Sequence, residues 1–353
     1  MIEAHEDMQK ASPAYSSVSE IHNALMRNAY TPRELFDYIK ENYEKWSEPK
    51  SGQMVDLIRG SEGDYHNLSV EFSRKDCEPF AAGVAMIGVS IYPMSTDLLA
   101  DLIKYSQEIG ETAMCKYGVD KLKDIDRQYW TWRTFVFVID YLKDSMGTMK
   151  SIDEFKGNLE EAKNLIEDFK KYIPHEERAY VAEAELNQNQ NNYQAALAAL
   201  LDGVKNVPVA PQCCMKLADY YLELGQYAKA EEYAKKGILM SIQDQPTISV
   251  GYLYYILALS QDAKRIIARQ EGKSMDSSEI IAIMTAYETA DRLFVNEGRV
   301  NVSYRKTIDA RKIMLEMEEG VSETEMPGQN SEAKIEKLSQ LVDFLRNSDA
   351  QDD

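Results

Sequence analysis

The chain has 353 residues, 44% of them apolar, and a formal net charge of −19 at pH 7. That apolar content is enough for a continuous core, and so acidic a surface repels nucleic acid at long range while attracting basic proteins and peptides. Four cysteines, two of them adjacent at Cys213 and Cys214, fit buried packing in a reducing compartment better than a disulfide framework. A soluble, cytoplasmic protein with no membrane segment is expected. No basic segment followed by an apolar stretch opens the chain, and the apolar run Phe80–Tyr92 is too short to cross a bilayer.

Residues 1–16 read as a polar, disordered arm, and 17–142 as an N-terminal helical domain built either of degenerate repeats or of an unrelated fold. Thr31, Pro32 and Glu34 supply an N-cap, a first-position proline and a capping-box acid, and Leu35, Ile39, Tyr43 and Trp46 then follow on one helix face. Residues 52–76, with Gly60, Gly63 and the run Leu68–Phe72, fit either a loop or a lone strand. Phe80–Tyr92 is apolar nearly all round, as in a buried helix. Pro93 ends it, and Ser95 caps the next, which runs through Leu98, Leu99, Leu102 and Ile103 to Gly110. Tyr129, Trp130 and Trp132 precede an apolar helix and are expected to pack in a core.

Residues 143–318 read as stacked helix pairs, and over their first part a period of 34 residues emerges. Tyr193 falls on Tyr227, Ala196 on Ala230, Gly203 on Gly237 and Pro174 on Pro208, while Gly157 and Leu159 fall on Gly225 and Tyr227 two periods later. Each coincidence has a use in a helix hairpin. Asn191 and Gly225 tolerate the positive φ of a tight turn, Tyr193 and Tyr227 fill the wedge between the helices, and the alanines keep the helix axes close. Ser151 and Glu154 form a capping box for a helix over 152–172. Lys143–Ser151 lacks periodicity, so that helix should pair with the one through Trp132 and Val138. Beyond the strict period, amphipathic helices are expected at 248–269 (Tyr252, Tyr255, Leu259, Ile266), 276–294 (Ile280, Met284, Tyr287, Phe294) and 299–318 (Val302, Ile308, Ile313, Leu315). Residues 319–331 read as a flexible linker. Residues 332–347 read as a short amphipathic helix, with Ile335, Leu338, Val342 and Leu345 on one stripe.

Turn residue, aromatic, alanine and small residue recurring in phase make residues 177–244 similar to two consecutive tetratricopeptide repeats. Departures lie at Tyr180 and Cys214, where the family has tryptophan, and at Phe169, where the other units have glycine. The resemblance implies an all-α solenoid of stacked antiparallel helix pairs, coiled as a right-handed superhelix, with an inner groove lined by the first helix of each repeat. The positions concerned are Arg178, Val181, Glu185 and Gln188 in one unit, and Gln212, Met215, Asp219 and Leu222 in the next. Members that grip acidic chaperone tails carry asparagine where this chain has Glu185 and Asp219. A carboxylate brought against either would meet a repulsion of about 1–4 kcal/mol, so the expected partner is a neutral, apolar or basic protein segment.

Catalysis finds no constellation. His5, His22, His66 and His175 lie apart and lack a second metal ligand at helical spacing, and neither a phosphate-binding glycine loop nor a nucleophile elbow occurs. Cys77 near His66 reads as incidental, and Asp97 with Asp101 as a solvated pair on an exposed face rather than a metal site. No catalytic residue, metal or cofactor is therefore expected. Arg299, Arg305, Lys306, Arg311 and Lys312 form a basic stretch that an RNA or acidic peptide could use, although solvated helix faces commonly carry such residues. The reading is a non-catalytic interaction scaffold or adaptor. A ligand-responsive regulatory receptor acting through a protein partner stands as the alternative, and an RNA-associated role as a weaker one.

Overall fold

A computed structural model describes residues 15, 17–47, 60–148, 151–243, 249–273, 277–298 and 303–322, and every regular element among them is helical. The α-helices are α1 (Val18–Met26), α2 (Pro32–Ser47), α3 (Glu62–Arg74), α4 (Glu78–Ile91), α5 (Thr96–Glu108), α6 (Thr112–Leu122), α7 (Trp132–Thr148) and α8 (Ile152–Tyr172). They continue with α9 (Arg178–Asn189), α10 (Tyr193–Asn206), α11 (Pro211–Glu223), α12 (Tyr227–Gln243), α13 (Val250–Gln270), α14 (Ser277–Asn296) and α15 (Ser303–Ser322). They form two compact units, and the division falls between Ala182 and Glu183, inside α9. The expected arm, apart from Tyr15, and the expected helix at 332–347 lie outside the described residues. Tyr15 is held by both its backbone groups: its N–H donates to the Tyr38 hydroxyl at 2.9 Å, which donates to the Tyr15 carbonyl at 2.8 Å.

Local signals set the helix starts. The Thr31 N–H donates to Glu34 Oε2 at 2.8 Å and the Glu34 N–H to Thr31 Oγ1 at 3.3 Å, while Ser95 Oγ accepts from Leu98 N at 3.1 Å and Ser151 Oγ from Glu154 N at 3.4 Å. Residues 61–74 correct the loop-or-strand expectation. Ser61 and Asp64 close a capping box, and Tyr65, Leu68 and Phe72, three or four residues apart, are buried on one face of α3. α15 runs to Ser322, into the stretch expected to be a linker.

In the first unit α3, α5 and α7 are the first helices of successive pairs and start 34 and 36 residues apart. Side-chain bonds between neighbouring pairs keep that step: Ser95 to Glu62 spans 33 residues, Thr131 to Asp97 spans 34 and Arg133 to Asp101 spans 32. α7 runs unbroken across residues 142 and 143 and pairs with α8, where Phe135 stacks on Phe169 with ring centroids 4.9 Å apart. Trp130 is buried beside Phe135, its indole N–H donating to the Ile125 carbonyl at 3.2 Å.

The second unit shows the hairpin chemistry directly. Asn191 and Gly225 adopt φ of 58° and 69°, and Ala196 and Ala230 are fully buried. A Cβ on Gly237 would lie 3.1 Å from Leu253 and 3.2 Å from Cys214, so α11, α12 and α13 meet closely enough there that a side chain would have to push its neighbours aside. The tyrosine wedge is corrected at Tyr193, which is 55% exposed and lies against Tyr220 of α11 at a centroid distance of 6.4 Å, whereas Tyr227 is half-buried. Between α11 and α12, Tyr221 stacks on Tyr233 at 5.6 Å.

Candidate interaction face

In the second unit, successive first helices are joined by polar bonds. Lys216 on α11 pairs with Glu185 on α9 at 2.8 Å, and the hydroxyl of Tyr252, in the first turn of α13, donates to Asp219 on α11 at 2.6 Å. Pro211 starts α11 without needing a backbone donor. Its positions 212, 215, 219 and 222 then recur on one face, with Gln212, Met215, Asp219 and Leu222 all half-buried. Gln188 on α9 is half-buried too. Tyr252 rests against Tyr304 and Tyr255 at centroid distances of 5.3 and 6.2 Å. Burial, followed by its bond to the Asp219 carboxylate, raises the ionisation of the Tyr252 phenol well above its usual range, so it remains a donor.

Sequence reasoning named Glu185 and Asp219 but not the groups that answer them. Lys216 neutralises Glu185, and Tyr252 shares Asp219. Lys216 was legible as a cation one turn before Asp219; the tyrosine contact depends on α13, where the repeat pattern has already faded.

Arg178 and Val181 belong to the first unit and are engaged there. The Arg178 guanidinium lies 3.9 Å from the Trp132 ring centroid and donates to Glu176 at 2.7 Å, and Val181 is 8% exposed. The basic stretch is largely consumed by ion pairs within its own unit. Arg305 pairs with Asp291, Arg311 with Asp262 and Lys312 with Glu288. Lys306 is half-buried, and Arg299 lies outside the described residues. No single-sign surface results from Arg305, Arg311 and Lys312.

Asp101 corrects the expectation of an exposed carboxylate pair. It is fully buried, bound by Arg133, by His66 Nδ1 at 2.6 Å and by Ser69 Oγ at 3.0 Å. The cluster ties α3, α5 and α7 together. Asp97 accepts from Thr131 Oγ1 at 3.0 Å, and Cys77 donates to the Lys75 carbonyl at 3.2 Å instead of facing His66. Asp262 plays the corresponding part in the second unit: 2% exposed, it is bonded by Arg265, Arg311 and Tyr287 and so joins α13, α14 and α15. Among the described residues no group of three or more His, Cys, Asp or Glu side chains is placed to hold a metal, and no helix is long and apolar enough to cross a membrane.

No protein-family model matches the chain, and no curated protein matches it in sequence. Among solved structures it is similar to a tetratricopeptide repeat protein from Parabacteroides merdae, at 14% identity and a TM-score of 0.44, over 84% of this chain and 99% of that one. It is also similar to a thermophilic TPR protein of Thermus thermophilus, at 16% identity and a TM-score of 0.43, over 52% of this chain and 93% of that one. A third similar structure is the human IFIT1 dimer with PPP-AAAA, at 12% identity and a TM-score of 0.41, over 94% of this chain and 73% of that one. Likenesses at this level carry nothing about ligands or partners; the helix pairs and their 34-residue step rest on the chain's own geometry.

Proposed function

We propose that this protein is a non-catalytic interaction scaffold that holds a segment of a partner protein along the face made by the end of α9, α11 and α13. The observation that carries this reading is the pair of bonds, Glu185 to Lys216 and Asp219 to Tyr252, that sets like helices side by side. Half-buried Met215 and Leu222 supply apolar contact, Gln188 and Gln212 supply amides for a partner's backbone, and Asp219 keeps carboxylate lone pairs for further donors. Since Lys216 answers Glu185, the preference for a neutral or basic segment rests on Asp219. The ion pairs of Arg305, Arg311 and Lys312 leave the RNA reading without a specific basis.

Labelled peptides of equal length and apolar content, with basic, neutral or acidic side chains, test this by fluorescence anisotropy at two ionic strengths. The basic peptide should bind tighter than the acidic one, the gap should narrow with salt and with Asp219→Asn, and Met215→Arg should weaken both. Equal binding of the acidic peptide, insensitive to Asp219→Asn, would sink the reading.

A further inference from the structure

The first unit carries a cleft of about 720 Å³ between α6 on one side and the first half of α8 on the other, with α7 and the α6–α7 connection beneath. Its floor is apolar, from Leu122, Trp130, Val138 and Leu142, and the size is that of a binding site rather than a packing defect. Most charges on its walls are already matched: Lys123 pairs with Asp120, and Arg127 with Glu161 and Asp168. Three remain without an ion pair among the described residues, all exposed: Lys116 on the α6 wall, Glu154 on the α8 wall, and Asp126 on the α6–α7 connection, which accepts from Gln128.

Gly157 is the second independent sign. It sits within α8 on the cleft wall, where a glycine weakens a helix. Three glycines in the middle of helices are demanded by a neighbour, since a Cβ on Gly83, Gly118 or Gly251 would come within 3.0 Å of Phe36, Ile103 or Phe294, while Gly147, next to the last residue of α7, is not. A Cβ on Gly157 would meet nothing within 4 Å. Its missing side chain leaves the α8 backbone open to close approach from the cleft, not from the core.

We propose that this cleft receives an amphipathic α-helix of a protein partner, its apolar stripe on the α7 floor, an acidic flank towards Lys116, a basic flank towards Glu154 and its closest approach at Gly157. A helix fits where an extended segment does not. Walls covered by helix side chains offer no ladder of backbone partners to a strand, whereas a helix satisfies its own N–H and C=O groups. Opposite charges on the two walls favour mixed flanks over flanks of one sign, and they fix the direction in which the helix lies.

The test uses the full chain and three labelled helical peptides that share one Leu/Ala stripe: Glu on one flank and Lys on the other, Lys on both, and Glu on both. In anisotropy titrations the mixed peptide should bind tighter than either of the others by about two- to five-fold per mismatched charge. Lys116→Glu should shift the preference to the all-Lys peptide. Gly157→Trp should weaken binding at least about ten-fold; Gly157→Ala, which adds only a methyl group, should weaken it less and raise the melting temperature. Met215→Arg on the second unit should change nothing here, which separates this site from the face proposed above. The proposal is overturned if the three peptides bind alike, if none binds saturably, if Gly157→Trp and Gly157→Ala both leave binding intact, or if a small apolar dye fills the cleft and no peptide displaces it.

Discussion

The two units keep one step by different means. In the second, the 34-residue repeat is visible in residue identity, with Ala230 following Ala196 and Gly237 following Gly203. In the first, few residue identities recur, the N-caps Ser61 and Ser95 and the buried Leu68 and Leu102 among them, yet bonds between neighbouring helix pairs fall at nearly the same separation, as in Thr131 to Asp97, 34 residues apart, and Arg133 to Asp101, 32 apart. The step follows from two helices and two turns. Which residues mark it is free to change once some side chain bridges each like helix to the next. Each unit also buries an aspartate against arginine, Asp101 against Arg133 in the first and Asp262 against Arg265 and Arg311 in the second.

The strongest way to separate the units is to break those clusters. Asp101→Ala and Asp262→Ala should each cost about 3–5 kcal/mol, because the half-buried Arg133 in one case and the buried Arg265 with half-buried Arg311 in the other lose their counter-charge. Hydrogen exchange should quicken in α3, α5 and α7 for the first variant and in α13, α14 and α15 for the second; identical exchange patterns would contradict separate units. Next in size is Gly237→Leu, which should lower stability in urea by about 1–3 kcal/mol by forcing Leu253 and Cys214 apart. No loss would mean that α12 and α13 are packed less closely than described.

Acid should act on the second unit through Glu231, which links α12 to α13. Burial alone would raise its carboxyl, but bonds from Lys235, Lys264 and Gln261 outweigh that and hold it at about 2, against an ordinary 4.5. Its stabilisation is therefore complete above about pH 4.5 and is lost as pH falls towards 2, worth about 1–2 kcal/mol after allowance for solvent screening. Glu231→Gln should flatten that part of the acid limb of a stability–pH curve; an unchanged limb would place the acid sensitivity elsewhere. The smallest effect is the coupling of Glu185 to Lys216, about 0.2–1 kcal/mol in a double-mutant cycle. Zero coupling would remove α9 from the proposed face.

Helix starts were legible because capping is local: Thr31 with Glu34, Ser95 and Ser151 announce themselves within four residues. The start of α3 was equally readable in Ser61 and Asp64, but Gly60, Gly63 and the apolar run after them masked it. Repeat turns and buried alanines were legible because sterics leave little choice there. The tyrosine wedge was not, since the aromatic that opens a helix points inward or outward according to how its hairpin packs. Asp101 was misplaced on an exposed face because its partners, His66 and Arg133, lie one helix pair away on either side. Likewise the charge of the candidate face could not be read from Glu185 and Asp219 alone, because Lys216 and Tyr252 reset it from neighbouring helices.

The most direct test of the interaction face is a hydrogen-exchange footprint of the full chain with a bound basic peptide. Protection is expected on α11 around Lys216 and Asp219 and on α13 around Tyr252. Protection confined to α12 and α14, with α11 and α13 unchanged, would contradict it.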